Sequence, residues 1–171
     1  MMSDRSQSET PLVQFGERLT NSAAFGNLFR EGMDLVEETA AYLDGAGRKE
    51  AKALDRSASL TYATESMRLT TRLMQLASWL LLHRAVKEGE MTLTQANREK
   101  TKVKLSAADP GHGESIEKLP PRLQDLIARS MLLQARVRRL DATIHAPPAE
   151  RTTIGNPLVP QLNRLKAAFE Q

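Results

Sequence analysis

The sequence predicts an all-α protein: an antiparallel three-helix bundle with a long central helix, a mobile N-terminus and a C-terminal tail. Two observations carry that prediction. Aromatic residues are 4% of the chain against 40% hydrophobic residues overall, and the apolar content is mostly Leu, Ala and Met. Those residues favour helices, whereas strands draw on β-branched and aromatic side chains. Apolar residues also recur three and four positions apart over long stretches, with no alternating strand pattern and no internal repeat. A chain of 171 residues, 26% of them charged, suits one globular domain of ordinary size. The bundle is expected over residues 10–145, with a loop region at 89–118 and a flexible tail at 146–171.

Residues 1 to about 10 are polar and predict a disordered leader. The first helical region follows Thr10-Pro11, with Pro11 at a first-turn position. Its main stripe is Phe25, Leu28, Phe29, Gly32, Leu35, Val36, Thr39, Ala40 and Leu43. Glu31, Asp34, Glu37 and Glu38 lie on the opposite side, and Asp44-Gly45 with Gly47 ends the helix. A second helix is expected from about Arg48 to Glu88, free of Gly and Pro, with Gly89 as its stop. A short polar helix then follows, with Thr94 as its cap. Asp109-Pro110-Gly111-His112-Gly113 predicts a loop. The third helix starts at Pro120-Pro121 and carries Leu119, Leu123, Leu126, Ser130, Leu133, Val137, Leu140 and Ile144, alternately four and three residues apart, a heptad-like pattern. The tail ends in an amphipathic piece with Leu162, Leu165 and Phe169.

The second helix carries the most information. At about 100° per residue, Leu69, Leu73, Leu76 and Leu80 form one stripe. Leu60, Met67, Met74 and Leu81, spaced every seven residues, form another, offset by roughly 140°. Trp79 and Val86 widen the apolar arc. A helix with two partners in a small bundle normally keeps a polar back face. Either the segment 90–118 folds over the second stripe, or that stripe meets another chain, most simply a second copy across a two-fold axis. Met is adaptable enough to suit a contact surface and equally serves as core filler.

Chemistry is mostly absent. The chain has no Cys, which excludes disulfides, Cys-ligated zinc, iron–sulfur clusters and thiol catalysis. His83, His112 and His145 are far apart, none shows a second ligand at helical spacing, and no metal or other cofactor is expected. His83 is expected near a helix end, where a protonated imidazole would favour the helix dipole. Gly111-His112-Gly113-Glu114-Ser115 matches neither a phosphate loop nor a nucleophile elbow. The carboxylates Asp34, Glu37 and Glu38 have basic neighbours and no apolar pocket, which predicts a solvated face. No nucleophile, base and orienter assemble, so no enzyme activity is expected.

Arg122, Arg129 and Arg136 recur every seven residues, joined by Arg138 and Arg139, and Arg98, Lys100, Lys102 and Lys104 form a second basic group. Such stripes suit nucleic-acid phosphates, an acidic protein surface, or plain solvation. Against nucleic acid stand the net charge of only +3 and the lack of interleaved aromatics. The arginines Arg122, Arg129, Arg136 and Arg139, with Leu162, Leu165 and Phe169 of the tail, are the candidate partner-binding residues. The N-terminus has no apolar core of a secretory signal, and the longest apolar run is too short to span a bilayer. A soluble cytoplasmic protein is expected.

The run from Tyr62 to Gln75, continuing through Ala77-Ser78-Trp79-Leu80-Leu81-Leu82, Arg84-Ala85-Val86 and Gly89-Glu90-Met91-Thr92, with Gln95-Ala96 and Lys100 to Leu105 beyond, resembles the RcdA family. That family takes its name from regulation of CtrA degradation. Leu35-Val36-Glu37-Glu38 to Tyr42-Leu43 and the Leu123 to Leu140 helix are also similar, so the resemblance covers most of residues 20–145. It implies a homodimeric three-helix bundle without catalytic activity. It further implies an adaptor for the ClpXP protease primed by the receiver-domain protein CpdR, a PopA-type partner that responds to cyclic di-GMP, protein substrates as cargo, and localisation at the cell pole.

Overall fold

The computed structural model describes residues 22–100 and 116–145, together with Arg18. Five α-helices occupy these residues: α1 Ala23–Asp44, α2 Ala46–Lys52, α3 Arg56–Lys87, α4 Leu93–Lys100 and α5 Pro121–Ile144, with a 3-10 turn at Ile116–Lys118. The all-α bundle expected from composition and periodicity is the observed architecture, and α1, α3 and α5 are its three long helices. The leader, Pro11, the 109–113 turn, His112, Lys102, Lys104 and the whole tail lie outside the described residues.

The ends of the helices follow local chemistry. Ser22 accepts a hydrogen bond from the Phe25 N–H at 3.2 Å and starts α1. The expected single helix from Arg48 to Glu88 is broken. Asp55 accepts from the Ala58 N–H at 2.8 Å and opens a new helix there. An N-cap aspartate fixes an extended backbone at its own position, so the turn before it cannot remain helical. Gly47 does not terminate α1 either. It is buried inside α2, where a Cβ would lie 2.6 Å from the Tyr62 hydroxyl and 2.7 Å from the Tyr42 carbonyl oxygen. Gly89 is the expected stop of α3: it has φ of 74°, and the Glu90 and Gly89 N–H groups bond the Ala85 and Val86 carbonyls. These are the two bonds of a Schellman ending. Helix α4 is capped by Thr92 rather than Thr94. The Thr92 hydroxyl accepts from the Gln95 N–H, and the Gln95 side chain accepts from the Thr92 N–H, a reciprocal capping box.

Cross-helix pairs give the direction of each long helix. Phe29 meets Arg84, Gly32 meets Leu80, and Gly47, just beyond α1, meets Tyr62. Glu31 pairs with Arg136 and Glu38 with Arg129. The antiparallel sense expected from the sequence therefore holds for α1 against both α3 and α5. Helices α3 and α5 lie parallel, since Arg72 pairs with Ser130, Trp79 with Asp141 and His83 with His145. Two parallel neighbours cannot be joined by a short turn, and α4 and the 3-10 turn lie in the chain between them.

The core contains the first α3 stripe, with Leu69, Leu73, Leu76 and Leu80 all buried, and the heptad of α5, with Leu119, Leu123, Leu126, Ser130, Leu133, Val137 and Ile144 buried. Gly32 belongs to this interface. A Cβ at that position would collide with Leu80 Cδ1, so α1 and α3 approach each other where no side chain intervenes. Gly32→Val is expected to lower stability by roughly 1–3 kcal/mol through overpacking. Gly26→Ala, with nothing within 4 Å of its Cβ position, is expected to raise stability by about 0.5–1 kcal/mol through helix propensity. Urea unfolding midpoints of the two variants test this pair of opposite signs.

Candidate functional sites: an outer apolar stripe and a buried histidine cluster

Helix α3 departs from an ordinary bundle helix in being apolar on its outer face as well as its inner one. Between Ser57 and His83 its charged residues are Glu65, Arg68 and Arg72. At about 100° per residue Glu65 and Arg72 project toward the bundle side, and Arg68 lies on the flank with its side chain 37% exposed. Glu65 and Arg72 are buried. Arg72 donates to the Ser130 hydroxyl at 2.9 Å, which itself donates to the Ile127 carbonyl at 2.7 Å. Glu65 bonds Arg68 at 2.9 Å. Such partners are what make a buried charge tolerable.

The outer face, by contrast, is apolar. Leu60 is 72% exposed, Met67 72%, Met74 65% and Leu81 52%. The hydroxyls that flank this stripe are turned inward onto the helix. Thr64, Thr70 and Ser78 donate to the carbonyls of Leu60, Ser66 and Met74, each one turn back, leaving their methyl and methylene groups outermost. Ser66, Met67, Thr70 and Thr71 line a shallow depression on this face. Of the two explanations open at the sequence level, cover by the following segment does not apply to α4. Its buried residues Leu93 and Ala96 pack elsewhere and leave all four stripe residues exposed. Leu132 on α5, at 68% exposure, is a further outward apolar residue that periodicity alone does not single out.

The candidate arginines are placed differently from one another. Arg129 bonds Glu38 at 2.8 Å and Arg136 bonds Glu31 at 2.6 Å, tying α5 to α1. The Arg129 hydrogen bond lowers the Glu38 pKa. The acidic flank expected to be merely solvated is therefore the partner of half the arginine stripe. Such exposed pairs contribute about 0–1 kcal/mol each. Arg122 lies over the Tyr42 ring at 5.2 Å. Arg139 is exposed. Leu162, Leu165 and Phe169 fall outside the described residues.

A second site escapes sequence reading almost entirely. His83 and His145 face each other with Nε2 atoms 2.9 Å apart. Asp141 Oδ1 is 3.7 Å from His145 Nε2, and the Trp79 indole N–H donates to the same oxygen at 2.8 Å. Lys100 of α4 bonds the other carboxylate oxygen at 2.8 Å. The His83 ring stacks on Trp79 with centroids 3.9 Å apart, and its Nδ1 bonds the Trp79 carbonyl at 2.9 Å. Among the described residues, His83, Asp141 and His145 are the group whose donor atoms lie close enough to hold a metal ion. Sequence reading denied every histidine a second ligand at helical spacing. Asp141 and His145 stand one turn apart, so that statement is corrected. The distant partner His83 is brought in only by packing of α3 on α5. His83 is also not a protonated helix-end residue. Burial, against the Trp79 hydrogen bond, pushes its pKa down to about 4, so it is neutral at pH 7. Burial lowers His145 as well.

Among the described residues no helix is long and apolar enough to cross a membrane. The family of proteins of unknown function called DUF1465 matches residues 16–169. The crystal structure of RcdA from Caulobacter crescentus is similar, with 50% identity and a TM-score of 0.64, over 77% of this chain and 98% of that one. No curated protein matches the chain.

The groups facing His83 are Asp141 and His145 from α5 and Lys100 from α4; Asp141 raises its pKa, while His145 and Lys100 lower it. In the unfolded chain this imidazole titrates near 6.5, against about 4 when folded. Between those values the unfolded state binds the extra proton, so acidification favours unfolding. In chelator-containing buffer, stability is expected to fall by roughly 2 kcal/mol between pH 7 and pH 5. Urea unfolding at several pH values measures it, and a flat profile across that range would contradict a buried neutral His83.

Proposed function

Because the chain belongs to the RcdA family, we propose that it is a non-enzymatic adaptor that tethers protein substrates, or further adaptors, to a ClpXP protease primed by CpdR. The observation that carries the reading is the uncharged outer face of α3, on which four large apolar side chains stand more than half exposed. A contiguous apolar face of that kind on a soluble bundle marks a contact surface. Tethering works by effective concentration: cargo held beside the protease pore is engaged as if intramolecularly, with no new chemistry required. Modest affinity suits exchange of cargo. Localisation at the cell pole and a partner of the PopA type, responsive to cyclic di-GMP, belong to the same reading.

The stripe itself is assigned to self-association. Leu60 to Leu81 spans roughly 30 Å of helix, and a seven-residue repeat keeps one seam facing a like helix across a two-fold axis. Cargo contacts then fall to the remaining surface, where Arg122 and Arg139 are better placed than Arg129 and Arg136, whose charge is shared with Glu38 and Glu31. That sharing also weakens the case for nucleic acid. Leu162, Leu165 and Phe169 of the tail are proposed as exchangeable partner contacts.

Two measurements test the proposal. Sedimentation of Met74→Asp at micromolar concentration is expected to show monomer where the unaltered chain shows dimer, with helicity retained. An unchanged sedimentation profile would assign the stripe to something other than self-association. In reconstituted degradation by ClpXP with CpdR, the protein is expected to accelerate turnover of a subset of substrates, saturating with its concentration. No acceleration over a broad panel, with the chain folded, would remove the adaptor reading.

A further inference from the structure

We propose that His83, Asp141 and His145 form a binding site for one divalent transition-metal ion of the zinc class, which bridges the C-terminal ends of α3 and α5. The three ligand atoms already converge within 4.8 Å of one another. They come from two helices: Asp141 and His145 are one turn apart on α5 and its cap, and His83 faces them from the last turns of α3. Spacing of four residues lets two side chains of one helix share an ion. Two imidazoles and one carboxylate, with a fourth position for water, is a ligand set for zinc, cobalt(II) or nickel(II) rather than magnesium or calcium.

The surroundings are those of a prepared ligand set. The Trp79 carbonyl takes the His83 Nδ1–H at 2.9 Å. That fixes the tautomer and leaves the Nε2 lone pair aimed at the cluster. The Trp79 indole N–H orients Asp141 from the side. One residue thus sets two of the three ligands, the outer-shell role commonly met around metal-binding histidines. Burial disfavours the charged form of both imidazoles, and the neutral form is the one that binds metal. Two nitrogens at zinc-bond length in a tetrahedral site lie about 3.3 Å apart. The present 2.9 Å therefore requires the rings to separate by a few tenths of an ångström.

Lys100 gives the site its cation-free form. Its ammonium neutralises Asp141 and is itself 25% exposed, so it can leave for solvent when a metal takes the carboxylate. Metal and Lys100 compete for one charge, and binding exchanges an α4–α5 tie for an α3–α5 tie. In the cation-free form the Nε2 pair is closed by a single hydrogen bond from His145 to His83, so metal binding requires neutral His145 to shift that proton to Nδ1 and free its Nε2 lone pair.

The test uses the full chain stripped with chelator and titrated with Zn²⁺ by calorimetry and with Co²⁺ by visible absorption. One ion per chain is expected, with micromolar or tighter affinity, a raised melting temperature, and the ligand-field bands of nitrogen- and oxygen-bound tetrahedral cobalt. His145→Gln and Asp141→Asn, checked for helicity, are expected to weaken binding by roughly tenfold or more. Lys100→Met, which leaves every ligand in place, is expected to tighten it. Absence of stoichiometric binding to the folded chain would overturn the assignment. So would binding that survives both ligand substitutions unchanged, because it would place the ion elsewhere, for instance at His112.

Discussion

Trp79 sits where the three long helices meet, and much of the structure depends on how it is satisfied. Its ring is 1% exposed, approached by Phe25 from α1 and stacked by His83 one turn further along α3. A buried indole brings a large apolar area and one N–H that must find an acceptor. Here the acceptor is Asp141 of α5, so the apolar packing of α1 on α3 and the polar coupling of α3 to α5 are fixed by one side chain. Once Asp141 is held there, its second oxygen is available to Lys100, and α4 is anchored to the same point. The parallel sense of α3 and α5 follows from the same registry.

The two-sided apolar character of α3 has a different origin. A helix packed by partners on one side needs its polar residues outside. In α3 the buried side takes Arg72 and Glu65 as well as leucines, because Ser130 and Arg68 supply their bonds. Buried ion and hydrogen-bond networks seldom add much stability compared with apolar packing, so stability does not explain why Arg72 is inside. What the Arg72–Ser130 bond supplies is a polar contact between α3 and α5 in the observed registry. Apolar residues thus occupy both sides of the helix, and those of the outer face stand exposed to meet another surface.

Electrostatics at the bundle surface is local rather than steering. Glu31 and Glu38 of α1 pair with Arg136 and Arg129 of α5 across the helix interface. The chain's small positive excess is thus not gathered into a stripe along α5. Arg138 and Arg139 on the flank of that seven-residue series are exposed, and Arg122 lies over the Tyr42 ring.

The sequence by itself determined the helical class, the heptad of α5, the buried leucines of α3, the stop at Gly89 and the four-residue second stripe of α3, while the structure decided that this stripe faces outward. Each depends on residues within a turn or two of one another, and helix geometry converts such spacings directly into faces. The Asp55 and Thr92 caps were equally local. They were missed because a capping side chain competes with helix continuation, and apolar periodicity does not register that competition. Only the tertiary structure decided that α3 and α5 run parallel, that Arg129 and Arg136 belong to Glu38 and Glu31, and that His83 meets His145. Partners 62 residues apart, such as His83 and His145, share no helical period. Their contact is set by the angle and registry at which two helices pack, and that is fixed by the sum of many core contacts around Trp79.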